Sequence, residues 1–256
     1  MRRLSTWVVI VLTLLCPLAL SAAAEVDWNP MTEELPPYSL LEKEEVRGIC
    51  ADVLLQLLAK NSIKVERGDI KMLPWARAYK TAQDVPGSIL LNTARTPERE
   101  EMFKWVGPVR ELTIGLLALK KDKIEFETLT ETGKFKIGVI RDGVAEQLLL
   151  KAGVKEEQLD RIADPTLNLR KLGAGRIDLF AFSVPTARYI LVKMGLNPDD
   201  YESVYTLKQA ELFFAFHRDS DEELVQALNK TLQEMLEKDG SGRSEIDRIS
   251  DNYLKP

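Results

Sequence analysis

The segment NTARTPEREEMFKWVGPVR, residues 92 to 110, concentrates side chains that could bind a charged ligand. Arginines and glutamates alternate there beside Trp105, and a planar guanidinium pairs with a carboxylate through two parallel N–H donors. Thr96 is a preferred residue immediately before a helix, and Pro97 suits the first helical position. The pattern therefore predicts a helix start within the cluster, where free backbone N–H groups add positive potential for an anionic ligand.

Most nucleophilic and metal-dependent chemistry lacks its residues in this chain. His217 is the only histidine and ends an apolar run, LFFAFH, so we expect a surface role at the end of a strand. Cys50 is the only cysteine after residue 24 and is expected to be a small buried side chain on a helix. Histidine and cysteine spacings typical of metal sites are absent from the sequence. We therefore expect no catalytic residue, no metal and no cofactor.

The amino terminus has the layout of a cleaved secretory signal over residues 1–24. Arg2 and Arg3 precede an apolar run that is followed by three alanines. Cys16 follows two leucines where a lipoprotein site would have small residues, so a lipid anchor is disfavoured. The formal net charge is −5, and removal of two arginines makes the remaining chain more acidic. We expect a periplasmic monomer that does not bind nucleic acid, since that binding requires cationic surface.

Short apolar strands alternate with amphipathic helices along the rest of the chain. Apolar spacing predicts helices at 50–61, 74–83 and 221–240, the last with Ser220 as its cap and Gly240 at its stop. Further helices are predicted in VAEQLLLKAGV, PTLNLRKLGAG and VPTARYILVKMG. Strands are predicted in KVER, SILLN, LTIGLLALKK, KFKIGVI, IDLFAFS and AELFFAFHR.

This alternation predicts an α/β fold of two lobes, each a mostly parallel sheet flanked by helices. Two apolar strands, near 112–119 and 210–216, are expected to cross between the lobes. The predicted boundaries are 25–112 for the first part of lobe 1, 113–209 for lobe 2 and 210–256 for the return to lobe 1. Ligands of such sheets bind at strand ends, so the crevice between the lobes is the expected site.

Several motifs, in order, resemble those of the family 3 extracellular solute-binding proteins of ABC transporters, which have the type II periplasmic binding protein fold. They are PPYS, RGICADVL, PWARAY, RTPERE with FKWVGP, IGVIRDGVAEQLL and GRIDLF. The resemblance runs from about Thr32 to Tyr253. It implies a protein that binds a small solute between two lobes that close around a hinge and then docks on a membrane permease.

The resemblance implies ligand-binding positions residue by residue. The arginine of the family's T-x-x-R step clamps the ligand's α-carboxylate, and this position falls on Arg99. The alternative is that Arg99 pairs with neighbouring glutamates on a solvated helix. Ala94 replaces a serine or threonine that would bind the same carboxylate, and Asn92 is a substitute. Val144 replaces a threonine at the start of a helix in lobe 2.

The other half of amino-acid recognition departs from the family pattern. Ser183 stands where an acidic residue would hold the α-ammonium, and an unpaired buried ammonium is costly. Either another acid holds the amine, with Asp142 and Glu211 as candidates, or the ligand has no amine. Arg77 and Arg141 are further candidates that would favour a multiply anionic ligand.

Aromatic positions complete the predicted site. Tyr38 and Trp75 match positions where the family places rings against the ligand, with packing of the lobe rim as the alternative. Trp105 is assigned to packing near the hinge. Three functions follow: a binding protein for a small carboxylate that serves an ABC permease, an enzyme similar to cyclohexadienyl dehydratases with a carboxylic acid as general acid, or a periplasmic sensor module.

Overall fold

The computed structural model describes residues 26 to 254. The predicted signal segment 1–24 lies outside this range. Ten strands are present among the described residues: β1 (Asn29–Thr32), β2 (Leu40–Glu42), β3 (Glu45–Arg47), β4 (Lys71–Met72), β5 (Ser88–Ala94), β6 (Phe103–Leu119), β7 (Ile137–Ile140), β8 (Leu159–Ile162), β9 (Leu179–Ser183) and β10 (Tyr201–His217). Seven α-helices accompany them in the same range: α1 (Ile49–Lys60), α2 (Trp75–Asp84), α3 (Val144–Lys151), α4 (Pro165–Gly173), α5 (Val184–Lys193), α6 (Glu222–Leu236) and α7 (Glu245–Leu254).

Eight of the strands form one sheet in the order β4-β1-β5-β10-β6-β9-β7-β8. Strands β4, β1 and β5 are mutually parallel and form the first parallel group, while β9, β7 and β8 form the second. The long strands β6 and β10 run antiparallel to each other and join the two groups. The predicted α/β class with parallel sheets flanked by helices is therefore confirmed, and the two groups share one sheet through the long strands.

The register of the long strands makes the carboxyl ends of the two groups face each other. Ala94, at the end of β5, pairs with Leu212, which in turn pairs with Arg110 of β6. Ser183, at the end of β9, pairs with Ile114. Four residues of extended β6 separate these levels, about 13 Å at the usual rise per residue. A cleft between facing strand ends is therefore a consequence of the strand directions.

The helices bury apolar residues along one face. Helix α1 buries Val53, Leu54, Leu57 and Leu58, the spacing from which it was predicted. Cys50 is fully buried on the same helix, as expected. Within residues 26 to 254, no helix has both the length and the apolar character needed to cross a membrane.

Four details of the sequence prediction are wrong. The segment 64–67 is not a strand, because the chain there enters a 3-10 turn over Arg67–Asp69. Asp221 caps α6 in place of Ser220, since its carboxylate accepts from the Leu224 N–H. The same helix ends at Leu236, before Gly240. His217 is buried, because β10 lies between β5 and β6 and its last residue still pairs with Phe103.

The remaining differences are omissions and boundaries. Strands β1, β4 and β8, the β2–β3 hairpin and helix α7 were not predicted from the sequence. The missed strands are two to four residues long, too short to give an apolar pattern. The predicted crossing strands are longer than expected and extend to 103–119 and 201–217. The boundaries of the two lobes remain a prediction.

Candidate functional site

A cavity lies in the cleft between the two parallel groups. The first group and its flanking segments contribute Glu33, Leu35, Trp75, Asn92, Ala94 and Arg99. The second group contributes Ile140, Gly143, Val144, Ala145, Phe182 and Ser183, with Ala181 beside them. Leu112, Ile114 and Leu212 of the long strands form its base. The walls are mainly apolar, and Arg99 and Glu33 are the two charged side chains among the lining residues.

Arg99 is placed by a short turn at the end of β5. The chain forms a 3-10 helix over Pro97–Met102, in place of the α-helical start that the sequence indicated. The Arg99 side chain is 1% exposed, and its guanidinium lies 5.2 Å from the ring centre of Trp75 and 5.0 Å from that of Tyr79. Stacking on aromatic faces holds a guanidinium in a fixed plane. The predicted alternative, a solvated surface arginine, is therefore wrong.

The hydrogen bonds of Arg99 leave part of its donor capacity free. Nη1 donates to the carbonyl of Ala94 at 3.2 Å, and Nη2 lies 3.4 Å from the carbonyl of Asp142. Nε is buried and has no partner among the described residues. Burial lowers the pKa of Arg99, with Tyr79 and Glu33 opposing this shift. The group is still a cation at physiological pH, and a carboxylate is the acceptor that suits such a donor.

Asn92 lies on an irregularity of β5. Its φ is 56°, at a point where the register between β5 and β10 shifts, and asparagine tolerates this left-handed conformation better than most residues. Nδ2 donates to the hydroxyls of Thr32 at 2.9 Å and Ser39 at 2.8 Å. The buried Oδ1 has no partner within the described part of the chain. Asn92 therefore brings one unused acceptor to the cavity.

Glu33 is a site residue that the sequence interpretation missed. Glu33 directly follows β1 and is half-buried, and its carboxyl group makes no hydrogen bond or ion pair with any residue from 26 to 254. Burial raises the pKa of Glu33 to about 8, although the positive charge of Arg99 opposes the shift. The carboxyl group is thus mainly protonated at neutral pH. The rule that ligands bind at the carboxyl ends of parallel strands is the signal that would have found it.

The two sides of the cleft are in direct contact at the turn before α3. Trp75 donates from Nε1 to the carbonyl of Asp142 at 2.8 Å, so that this oxygen receives both Trp75 and Arg99. Asp142 has a left-handed φ of 59°, and its own N–H donates to Glu146 at 2.6 Å. Glu146 is buried and pairs with Arg161. The Asp142 carbonyl is therefore held in place by its own side of the cleft.

The opposite wall offers backbone groups and apolar side chains. Val144 begins α3, and Gly143, Val144 and Ala145 bring the amino end of this helix to the cavity. Ser183 also lines the cavity, but its hydroxyl caps α5: it donates to Thr186 Oγ1 at 2.8 Å and accepts from the Thr186 N–H. This wall thus presents a positive helix terminus to an anion and no acidic side chain.

Four other candidates lie outside the cavity. Tyr38 is buried in a neighbouring groove and donates its hydroxyl to the Glu111 carbonyl at 3.1 Å, and burial raises the pKa of Tyr38 to about 12. Arg77 and Arg141 are exposed. Glu211 is exposed and lines the groove of Tyr38. The structure therefore does not bring these four side chains together with Arg99.

Two further residues of the charged segment also have roles elsewhere. Trp105 is buried between Phe103 and Phe213 and donates to the Glu100 carbonyl at 3.1 Å. Arg95 pairs with Glu100 and lies over the ring of Trp105. Asp142, proposed as an acidic partner for an amine, is exposed and contributes its backbone carbonyl to the cleft.

Comparison with known proteins gives one family and a group of similar structures. The model of the bacterial extracellular solute-binding proteins, family 3, matches residues 30–256. A search of curated proteins finds no match.

The similar solved structures share the fold at low sequence identity. A histidine kinase sensor domain with similarity to periplasmic binding proteins is 17% identical, with 90% of this chain and 97% of that chain covered and a TM-score of 0.74. An ancestral arginine-binding protein bound to arginine is 20% identical, with coverages of 88% and 97% and a TM-score of 0.71. The arginine-, lysine-, histidine-binding protein ArtJ of Geobacillus stearothermophilus is 16% identical, with coverages of 89% and 95% and a TM-score of 0.72.

Proposed function

Because this chain belongs to the bacterial extracellular solute-binding proteins of family 3, we propose that it captures a small solute with a carboxylate in the cleft and delivers it to an ABC permease. The observation that carries the proposal is Arg99, a fully buried cation at the cavity wall with an unpaired Nε. A buried guanidinium without a counter-charge in contact is costly. A ligand carboxylate would supply that counter-charge between Arg99 and the amino end of α3.

Closure of the cleft is part of the proposed mechanism. The Asp142 carbonyl accepts from Trp75 and lies within reach of Arg99, and both donors come from the other side of the cleft. A ligand bound by both sides would favour this arrangement by its differential affinity for it. The closed form would then present a surface for a membrane permease that the open form lacks.

The test is calorimetric titration of purified protein with a panel of small carboxylates. Truncation of one partner in a buried charged pair costs about 3–5 kcal/mol, so we expect Arg99→Ala to weaken binding by at least about a hundredfold. Arg77→Ala is the matched control, since Arg77 is an exposed arginine outside the cavity. Equal affinity of Arg99→Ala and wild type for the same acid would refute the proposal.

Transport is distinguished from the alternatives by what happens to the ligand and its complex. A binding protein binds one equivalent of ligand and releases it unchanged. A dehydratase-like enzyme would convert the ligand, with Glu33 in the cavity lining as the general acid. A sensor module is the other alternative, because a histidine kinase sensor domain has a similar fold. Stimulation of ATP hydrolysis by the cognate permease and ATPase in proteoliposomes, only with loaded protein, would support delivery.

A further inference from the structure

The unpaired polar groups of the cavity define the ligand more narrowly than a carboxylate. Among the described side chains that line the cavity, Arg99 Nε and Asn92 Oδ1 are buried without a partner, and the Glu33 carboxyl group makes no hydrogen bond or ion pair with the described residues. Arg99 is a donor and Asn92 Oδ1 is an acceptor. Arg99 is the group for the ligand carboxylate. Which other polar group the ligand carries therefore depends on whether Glu33 is a hydrogen-bond donor or a negative charge.

Glu33 is a hydrogen-bond donor at neutral pH. Glu33 shares the cavity with apolar side chains such as Leu35 and Leu212, and its carboxyl group makes no ion pair with Arg99, the other charged residue of the cavity lining. Burial raises the pKa of Glu33 to about 8. Neighbouring Glu34 is more exposed and does not line the cavity; partial burial and the nearby negative charge of Asp164 raise the pKa of Glu34. In its neutral form Glu33 offers one O–H donor and carbonyl acceptor capacity.

An ammonium group fits this site poorly. It has three N–H donors that need acceptors, and the opposite wall supplies none from its side chains. The Ser183 hydroxyl is already bonded to Thr186, and Ile140 and Phe182 are apolar. An ammonium beside Glu33 would favour ionisation of that carboxyl group, and the apolar cavity would then hold two more buried charges than it does with a neutral hydroxyl and a neutral Glu33. The cost of both effects disfavours an α-amino acid.

A hydroxyl group fits the same atoms. It is at once a donor, which suits Asn92 Oδ1, and an acceptor, which suits the protonated carboxyl of Glu33. The cavity has a volume of about 50 Å³, which is room for about four water molecules. Leu112, Ile114 and Phe182 leave the rest of this small space to an apolar chain.

We propose that the ligand is a short-chain 2-hydroxy monocarboxylate without an amine, with its carboxylate on Arg99 and its hydroxyl between Asn92 and Glu33. This inference rests on the proposed function, since it assumes that the cavity binds a carboxylate through Arg99. It assigns to Glu33 the selection of hydroxyl over ammonium at the ligand's second carbon.

Three acids of matched shape test the proposal: lactate, isobutyrate and alanine, in which hydroxyl, methyl and ammonium occupy the same position. Both enantiomers of lactate and of alanine are titrated calorimetrically at pH 6, together with the 2-hydroxy and 2-amino forms of butyrate. We expect one enantiomer of a hydroxy acid to bind best. The methyl and amino analogues should bind at least about tenfold more weakly, because buried polar groups are left unpaired.

Variants of Glu33 provide the second readout. Glu33→Gln keeps an N–H donor and a carbonyl, so the hydroxy acid should bind it within about threefold of wild type at pH 6. Above about pH 8 the wild type should lose affinity as Glu33 ionises beside the ligand carboxylate, while Glu33→Gln should not. Glu34→Gln is the matched control and should follow the wild type at every pH.

The outcomes separate this inference from the proposed function. If alanine or 2-aminobutyrate binds best and loses its affinity in Arg99→Ala, the inference fails and carboxylate capture stands. If isobutyrate binds as tightly as lactate, the role of the hydroxyl is refuted. If no acid with or without an amine binds, the proposed function fails as well.

Discussion

The indole Nε1 of Trp75 donates to the carbonyl oxygen of Asp142 at 2.8 Å, across the cleft from α2 to the turn before α3. Arg99 points to the same oxygen at 3.4 Å from the same side as Trp75. The backbone carbonyl of Asp142 therefore links the two sides of the cleft. Its partner Trp75 also stacks on the guanidinium of Arg99, the proposed carboxylate-binding group. This link is independent of any ligand atom and should stabilise the closed cleft.

Trp75→Phe should weaken ligand binding by about fivefold, because the loss of one neutral hydrogen bond costs about 1 kcal/mol. The phenyl ring keeps the aromatic face below Arg99. Trp105→Phe is the matched control, since the Trp105 indole donates to Glu100 on its own side of the cleft. Calorimetry measures the affinities, and small-angle scattering should show a more open ligand-free Trp75→Phe. Equal losses in both variants would contradict a role for the cross-cleft bond.

Asn92→Ala should destabilise the fold by about 2–4 kcal/mol, because it removes two buried hydrogen bonds and places alanine at positive φ. Asn92→Gly removes the same bonds without the steric cost of the left-handed conformation. We therefore expect the glycine variant to be about 1 kcal/mol more stable than the alanine variant. Urea unfolding measures both, and the reverse order would mean that backbone strain at this position is negligible.

The contribution of Glu33 to the free energy of unfolding of the ligand-free protein should fall as the pH rises from 4.5 to about 8. The pKa of Glu33 is raised on folding, so in this window the folded state holds a proton that the unfolded state has lost. The Glu33 contribution is fully present below the unfolded value and is lost as the pH passes about 8. Glu33→Gln should lack this component in thermal unfolding at pH 5, 6.5 and 8, whereas Glu34→Gln should retain it.

Lys151→Met should change the affinity by no more than about twofold at physiological ionic strength. Lys151 pairs with Glu98 across the cleft at 2.5 Å, but both side chains are at least half exposed. Exposed pairs gain little because water and salt screen them. The hydrogen bond from Lys151, together with a backbone hydrogen bond, lowers the pKa of Glu98 to about 2. An effect as large as that of Trp75→Phe would show that the ion pair controls closure.

Helix positions and fold class could be predicted because they depend on local spacing. Helix α1 was located by four apolar residues that the structure buries, and α2 and α6 followed from the same periodicity. Where the sequence prediction failed locally, the competing signals were one residue apart, as with Ser220 and Asp221 at the start of α6. Propensity does not separate such neighbours, since both side chains can cap a helix.

The candidate site was predictable only in part. Arg99 was predicted as a ligand-binding residue through the resemblance. The structure buries its side chain beside Trp75 at the cavity. Tyr38, predicted on the same grounds, lines a neighbouring groove and donates a hydrogen bond to the Glu111 carbonyl. Glu33 was missed because a glutamate next to another glutamate looks like solvated surface in a sequence. Nothing local distinguishes Glu33 from Glu34, although one lines the cavity and the other is exposed.

The sequence alone determined the α/β alternation, the acidic character and the shortage of histidine and cysteine, because each of these is a property of composition or of short-range periodicity. The tertiary structure decided which charges meet. The strand directions bring the ends of β1, β5, β7 and β9 to one cleft, and their residues are far apart in the chain. Burial in that cleft converts Glu33 from an ordinary acid to a neutral donor, since desolvation depends on neighbours that only folding supplies.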